Sequence, residues 1–145
     1  MASVNPYLLF NGNCEFAFLF YQSVFGGEFP YMGKFKDMPA DENFAPLTAA
    51  DAERVMHVSL PIGNGSILLG SDSNSQSGDV VIGANVSISI NTESRAEADK
   101  LFNGLSVGGN AFMPMNATFW GAYFGMFVDK FGIHWMVNFD EVPQK

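Results

Sequence analysis

Apolar and polar residues alternate along several short stretches of the chain, and a period of two predicts β-strands. The alternation is strictest in residues 85–91, NVSISIN. Val86, Ile88 and Ile90 form the apolar side of this predicted strand, which we expect to pack on a helix. The opposite side is polar and consists of Asn85, Ser87, Ser89 and Asn91.

Two further stretches place histidines on the side of a strand that faces away from the core. In residues 133–139, IHWMVNF, the predicted packing side holds Ile133, Trp135, Val137 and Phe139. The other side presents His134, Met136 and Asn138. In residues 55–60, VMHVSL, the same alternation leaves His57 and Ser59 outside the core.

Two helices are predicted from apolar spacing and end signals. Residues 14–25 follow Asn13, a residue type that caps helices, and precede a Gly-Gly pair that can end one. This helix is apolar almost all round, which predicts burial on more than one side. Residues 92–105 form the second predicted helix, with an apolar set in the same spacing and a second Gly-Gly pair after it.

The order of elements occurs twice along the chain. Module one is predicted at residues 1–72, a polar linker at 73–84 and module two at 85–145. Each module reads βαβββ, so the fold class is α+β in a single domain. Residues 37–54 are predicted to form an exposed loop or lid with one helical turn near TAADAE.

Two strands of module one are apolar on both sides, so alternation does not assign their faces. These are YLLF at residues 7–10 and SILL at residues 66–69. We expect Leu8, Phe10 and Leu69 to supply the apolar wall of a binding cavity, with Ile67 beside them. A cavity with one polar and one apolar wall suits an amphipathic small molecule.

The aromatic segment TFWGAYFGMFVDKFGIHW, residues 118–135, predicts two paired strands whose rings serve the core and the cavity, the core being favoured. Trp120 is the candidate for a ligand contact. Gly121 and Gly125 leave room for a ring or a ligand to approach the backbone closely.

Composition restricts the classes of partner. The 145 residues carry a formal charge of −8, and no basic cluster occurs, which argues against nucleic acid and anionic membranes. The single cysteine excludes an internal disulfide, and no apolar stretch is long enough to span a bilayer. Without a signal-peptide pattern, a cytoplasmic location is predicted.

The duplicated βαβββ pattern with a Gly-Gly pair after each helix resembles the vicinal oxygen chelate superfamily, which includes glyoxalase I, bleomycin resistance proteins and extradiol dioxygenases. The resemblance is closest to its PhnB-like branch, labelled 3-demethylubiquinone methyltransferase-like. It is carried by PYLLFNGNCEFAFLFYQSVFGGE, VMHVSLPIGNGSILLGSD and TFWGAYFGMFVDKFGIHWMVNF. It implies that the two βαβββ modules form curved mixed sheets around a concave cavity, and that the protein is a homodimer. No Gly-rich loop after a strand supports a methyl-donor site.

Metal-dependent members of that superfamily place His, Glu or Gln ligands on the first and last strand of each module. The positions of this chain that match are Pro6, Leu69, Asn85 and Met136, which cannot hold a catalytic metal. We therefore expect no metal and no cofactor. An atypical site remains as an alternative, in which His57 and His134 converge with Asp72, Asp129 or Asp140.

Other reactive-looking residues have simpler explanations in the sequence. Cys14 at a helix start could be an activated thiol, but packing is the favoured reading. Asp129 with Lys130 is read as a turn pair, and Asp72 either orients a polar ligand or begins the linker. Tyr21 could bind a ligand or lie at the core edge.

The function predicted from the sequence is binding of a small organic molecule in a metal-free cavity. The polar contacts are assigned to His57, Ser87, Ser89, His134 and Asn138. The apolar lining is assigned to Leu8, Phe10, Leu69, Trp120 and Met136. The alternatives are a metal-dependent lyase, isomerase or dioxygenase that uses His57 and His134, and a scaffold whose cavity is filled by its own side chains.

Overall fold

The computed structural model describes residues 2–39, 47–75 and 78–141. The chain divides into two compact units, Met1–Val81 and Ile82–Lys145, called unit one and unit two below. The central part of the predicted lid, residues 40–46, lies outside the described residues.

Unit one contains four strands and one long helix. Its elements are β1 (Tyr7–Phe10), α1 (Cys14–Phe25), β2 (Tyr31–Lys34), a 3₁₀ turn (Phe35–Asp37), α2 (Ala49–Ala52), β3 (Val55–Gly63) and β4 (Ser66–Asp72). The predicted helical turn is confirmed as α2, whose first turn is capped because the Thr48 hydroxyl accepts a hydrogen bond from the Asp51 amide.

Unit two repeats the same order. Its elements are β5 (Ile88–Asn91), α3 (Arg95–Leu105), β6 (Asn110–Ala117), β7 (Ala122–Val128) and β8 (His134–Asp140). The sheets have the strand orders β1-β4-β3-β2 and β5-β8-β7-β6, and each contains one parallel pair at the edge that carries the first strand. The predicted α+β class with two βαβββ sheets is confirmed.

In unit one a phenylalanine of α1 lies directly on the sheet. A Cβ added at Gly70 would stand 2.6 Å from Cε2 of Phe18, so only glycine lets the ring approach β4 this closely. Phe18 also meets Phe10 edge-on at 6.2 Å between centroids. The buried residues Leu8, Val58, Leu60 and Leu68 complete this core.

Unit two uses the same device. A Cβ at Gly125 would stand 2.8 Å from Cε2 of Phe102 on α3, and Phe102 meets Phe127 edge-on at 5.1 Å. Phe127 stacks in turn on the buried Trp135. The predicted close approach at Gly125 is therefore made by a core ring.

The start of α1 is held by an acid sixty residues away in sequence. Asn13 occupies the predicted cap position but makes no side-chain cap bond. Instead, Oδ1 of Asp72 accepts hydrogen bonds from the amides of Gly12 and Cys14, and Oδ2 accepts one from the Val55 amide. Asp72 is buried and ends β4 at the predicted residue, and it joins the starts of α1 and β3 to the end of that strand.

The strand predicted at residues 85–91 is shorter in the structure. It begins at Ile88, and Val86, which was expected to pack on the helix, is 74% exposed. Only Ile88 and Ile90 are on the packing side, where they pair in register with Trp135 and Val137 of β8. Alternation thus identified the correct face, but it placed the start of the strand three residues before Ile88, the first residue that pairs with β8.

The apolar wall predicted from β1 was also wrong. Leu8 and Phe10 are buried on the side that α1 covers, as the contact between Phe10 and Phe18 shows. Because neighbouring strand residues point to opposite faces, Tyr7 and Leu9 occupy the side away from the helix. They are about half exposed.

Candidate functional site

The side of the first sheet that α1 leaves uncovered carries aromatic, hydroxyl and apolar groups together. We call it the open face of unit one; its residues include Tyr7, Leu9, Tyr31, His57, Ser59 and Leu69. One row across the sheet runs Tyr7, Leu69, Ser59, Tyr31, each in register with the next. Leu69 is thus on this face.

His57 lies between two tyrosine rings on this face. The Tyr7 hydroxyl and Nδ1 of His57 are hydrogen-bonded at 3.2 Å, and their ring centroids are 5.7 Å apart. This bond fixes the orientation of the imidazole relative to the Tyr7 ring. Tyr7 reaches this partner across β4, which separates β1 from β3.

Tyr31 lies on the other side of the histidine, with centroids 5.9 Å apart. Its ring folds back over Gly33 of its own strand: an added Cβ there would be 2.7 Å from Cζ and 2.9 Å from Cε1 of Tyr31. Gly33 is in register with His57, so the missing side chain at residue 33 is what gives the ring its place beside the imidazole.

The cationic side chains of unit one are all engaged elsewhere. Lys34 contacts Glu15 of α1 and Glu53, each at 3.6 Å. Lys36 bonds Glu53 at 3.0 Å. Arg54 donates to the Ser73 carbonyl at 2.7 Å. The open face of unit one therefore carries aromatic rings and hydroxyls but no lysine or arginine among the described residues.

The corresponding face of unit two contains the predicted residues of β8. Trp135 and Val137 are buried, while His134, Met136 and Asn138 lie on the opposite side, called the open face of unit two. Asn138 donates to the side chains of Asn91 and Asp140, so its amide is already oriented. Met136 is in register with Ser89 on one side and Met126 on the other.

The two predicted serines differ in position. Ser89 belongs to β5 and is exposed on the open face of unit two. Ser87 precedes the strand and is half-buried, so it lies outside the ladder that positions the other residues. Ser89, Met136 and Asn138 are thus brought together by the β5–β8 pairing, whereas Ser87 is not fixed by it.

Trp120 lies in the turn between β6 and β7 and is about half exposed. Its ring is tilted against Phe124 of β7 at 6.4 Å and meets Phe119 edge-on at 5.0 Å. Phe124 is in register with Asn138 and so belongs to the open face of unit two. Trp120 therefore adds an indole to the turn end of this face.

Two acids considered for an atypical metal site are committed to the fold. Asp72 accepts three backbone hydrogen bonds. Oδ1 of Asp129 accepts from the amides of Phe131 and Ile133, and Oδ2 accepts from Nε1 of Trp135. Within residues 2–39, 47–75 and 78–141, no three His, Cys, Asp or Glu side chains are grouped so that they could hold a metal ion.

Cys14 and Tyr21 are core residues. The Cys14 thiol is fully buried, and this burial, reinforced by Asp72, raises its pKa far above the ordinary thiol value, so it stays protonated. The packing interpretation of Cys14 is confirmed. Tyr21 is fully buried against Phe18 and Phe20.

Sequence reasoning missed Tyr7 and Tyr31. Tyr7 begins a stretch that is apolar on both sides, so its direction depended on knowing which side α1 covers. Tyr31 belongs to a four-residue strand, too short for alternation to be clear. The available signal was the spacing Tyr31–Gly33, which leaves space for the ring on its own strand.

Residues 2–138 match the 3-demethylubiquinone-9 3-methyltransferase family. The structure is similar to that of protein PA1353 from Pseudomonas aeruginosa, with 39% sequence identity, a TM-score of 0.83 and coverage of 97% of this chain and 98% of the other. It is also similar to a putative 3-demethylubiquinone-9 3-methyltransferase, PhnB protein, from Bacillus cereus. That match has 25% identity, a TM-score of 0.70 and coverage of 95% and 99%.

A more distant similarity shows the fold. A glyoxylase/bleomycin resistance protein/dioxygenase domain from Frankia sp. EAN1pec superposes with a TM-score of 0.66 at 14% identity, over 97% of this chain and 98% of the other. Together with the paired four-stranded sheets, these findings confirm the predicted resemblance. The chain belongs to the PhnB-like family described as 3-demethylubiquinone-9 3-methyltransferase, and it has the fold of the glyoxalase/bleomycin resistance/dioxygenase proteins.

Proposed function

We propose that this protein binds a small organic molecule at the open faces of its sheets, without a bound metal. The observation that carries the proposal is the cluster of Tyr7, His57 and Tyr31 on the open face of unit one. Partly exposed rings beside hydroxyls and an imidazole combine apolar area with a few directional polar groups, as small-molecule sites do.

The open face of unit two supports the same proposal with different chemistry. His134 and the oriented Asn138 amide supply polar contacts, Ser89 adds a hydroxyl, and Met136 and Trp120 supply apolar contacts. Methionine side chains adapt to the shape of a bound molecule because they are flexible and polarizable. In unit one, Tyr7 and Leu9 replace Leu8 and Phe10 in the proposed apolar lining.

We also propose that the protein is a cytoplasmic homodimer. Its support is the apolar surface that one chain exposes: Phe16 on α1 is 70% exposed, and Phe112 of β6 and Phe119 are exposed as well. Phenylalanine is more frequent at protein interfaces than on the rest of the surface. The buried, protonated thiol of Cys14 suits a reducing compartment. The described residues contain no helix long and apolar enough to cross a membrane.

A fragment screen by two-dimensional amide NMR tests the binding proposal. A true ligand will shift resonances of Tyr7, His57 and Tyr31, or of Ser89, Met136 and Asn138, in a saturable way. At ~100 times its dissociation constant it will stabilise the fold by about 2.7 kcal/mol, which raises the melting temperature by several degrees.

A matched pair of leucines provides the control in unit one. Leu9 and Leu19 are 50% and 47% exposed, but Leu9 is on the open face and Leu19 is on the outer side of α1. Leu9→Ser will weaken binding of a unit-one ligand, whereas Leu19→Ser will not. Equal effects of the two substitutions would contradict a site on the open face.

A metal titration of the metal-stripped protein distinguishes metal-free binding from the alternative of a metal-dependent enzyme. Titration with manganese, iron(II), nickel and zinc will leave the melting temperature unchanged if binding is metal-free. A saturable rise that is lost in both His57→Gln and His134→Gln would favour the enzyme with an atypical site. A chain that responds to neither fragments nor metals would instead be a scaffold.

A further inference from the structure

Charge distribution on the open face of unit one restricts the ligand class further. Three rings, those of Tyr7, His57 and Tyr31, lie side by side there. The three cations of unit one pair with acids or carbonyls away from this face. The whole chain carries a charge of −8. An anionic ligand would thus meet a negative field and no basic partner.

From these contacts we infer that the ring cluster of Tyr7, His57 and Tyr31 binds the ammonium group of a small organic cation. The inference rests on the proposed function, because it uses the same open face. Tyrosine rings attract a cation through the negative charge density of their faces, and quaternary ammonium groups are the cations that aromatic clusters recognise best. Such groups need no hydrogen-bond acceptor, and the cluster offers few.

Each residue has a separate part in this binding. Tyr7 and Tyr31 provide the two π-faces on opposite sides of His57. The Tyr7 hydroxyl is hydrogen-bonded to Nδ1 of His57 at 3.2 Å, and this bond holds the imidazole between the two tyrosine rings. Gly33 makes room for Tyr31: a Cβ at residue 33 would lie 2.7 Å from Cζ of that ring.

Three soluble probes of the same shape and different charge test the inference. Choline is the cation, 3,3-dimethylbutan-1-ol is its neutral carbon isostere, and 3,3-dimethylbutanoate is an anion of similar size. Each is titrated into the full-length protein, and the amide resonances of Tyr7, Tyr31 and Gly33 are followed. We expect choline to bind about tenfold more tightly than the alcohol, since two partly exposed cation–π contacts add to shape alone. We expect the anion to bind most weakly.

Variants then locate the preference. Tyr31→Phe retains the π-face and will keep the tenfold preference, whereas Tyr31→Leu will reduce it to about threefold, because one of the two contacts is lost. Gly33→Ala leaves every ring in the sequence but displaces Tyr31, and it will have the same effect as Tyr31→Leu. Phe16→Leu, an exposed ring removed from α1, is the control and will leave the preference for choline over the alcohol unchanged. Circular dichroism confirms that each variant is folded.

The outcomes separate this inference from the proposed function. If the alcohol or the anion binds the same residues as tightly as choline, the inference is wrong while small-molecule binding at the open face stands. If no probe shifts these resonances at tens of millimolar, the ammonium site is also wrong, and the fragment screen alone decides the proposed function. A preference for choline that survives both Tyr31→Leu and Gly33→Ala would place the cation elsewhere.

Discussion

Units one and two share a strand order but cover it with different helices. α3 is amphipathic, with Ala98, Leu101, Phe102 and Leu105 buried and polar residues outside. α1 buries Ala17, Phe18 and Tyr21 and still exposes Phe16 and Leu19. α3 thus buries its apolar side within its own unit, whereas α1 leaves part of its apolar surface exposed. We propose that a second copy of the chain packs on this exposed part of α1.

The open faces differ in a parallel way. Unit one presents rings around His57, and unit two presents amides and methionines in register across β6, β7 and β8. One backbone plan thus supports a rigid aromatic surface and an adaptable polar–thioether surface. We expect substitutions at corresponding places in the two units to differ in their effect on stability.

The largest effect is expected at the acid that ties unit one together. Asp72→Ala leaves the buried amides of Gly12, Cys14 and Val55 without their acceptor, and we expect a loss of about 3–5 kcal/mol in the free energy of unfolding. Urea denaturation followed by circular dichroism measures it. Asp79→Ala, at an exposed acid, is the control. A loss below about 1 kcal/mol would mean that water replaces the carboxylate.

The glycines beneath the two helix phenylalanines come next. Gly70→Ala will cost about 2 kcal/mol, because the added methyl meets both Phe18 and the Leu8 carbonyl oxygen, the latter at 2.9 Å. Gly125→Ala will cost slightly less, about 1.5 kcal/mol, because the corresponding contacts are longer, at 2.8 Å to Phe102 and 3.0 Å to the Met113 carbonyl oxygen. Its third neighbour, the Met115 thioether at 2.7 Å, is flexible and can move away. Urea midpoints rank the two. The reverse order would show that unit two is the less tolerant module.

The helix starts provide the third contrast. Ser94 caps α3 by accepting a hydrogen bond from the Glu97 amide, and Ser94→Ala will cost about 1 kcal/mol. Asn13 makes no side-chain cap bond at α1, so Asn13→Ala will change stability by less than about 0.5 kcal/mol. Equal losses at the two positions would show that Asn13 contributes to capping in solution.

The smallest effect concerns pH dependence in unit two. The Tyr123 hydroxyl donates to Asp99 at 2.7 Å, and this contact raises the pKa of Tyr123 above its ordinary value near 10. The folded state therefore holds the phenolic proton more tightly than the unfolded chain. This contribution is complete below pH 10 and is lost as the pH rises through the raised pKa.

Tyr123→Phe tests this linkage. At neutral pH the variant will be less stable by about 0.5 kcal/mol, since solvent screens the contact. Between pH 10 and 11.5 the difference between the two proteins will shrink. Urea midpoints at each pH measure it, with Tyr31→Phe in unit one as the matched control. A difference that grows above pH 10 would contradict the assigned sign.

The faces of a strand could be predicted from the sequence only where polar and apolar side chains alternate. In residues 133–139 polar and apolar side chains alternate cleanly, so the faces of His134, Met136 and Asn138 could be assigned. In YLLF both faces are apolar, and the assignment failed because the deciding contact, Phe10 with Phe18, comes from a helix placed by the whole fold.

Hydrogen bonds between backbone amides and side chains that are distant in sequence could not be predicted. Nothing near Asn13 indicates that the amides of Gly12 and Cys14 bond to Asp72, which is 60 and 58 positions away. A helix start after an asparagine normally suggests a local cap. The Tyr7–His57 pair has the same character, since it joins residues fifty positions apart across an intervening strand. Patterns therefore located the sheets and one face, but not the aromatic cluster.

The placement of the indoles gives the protein its own optical readout. Both tryptophans belong to unit two: Trp135 is buried with its ring nitrogen bound to Asp129, and Trp120 is half exposed. Emission from Trp135 will be blue-shifted and shielded from iodide, whereas emission from Trp120 will be red-shifted and quenchable. Unit one absorbs only through tyrosine and phenylalanine. A ligand that binds the open face of unit two will therefore change the quenchable emission by contact with Trp120. A ligand that binds the open face of unit one contacts no tryptophan of that unit, because unit one has none.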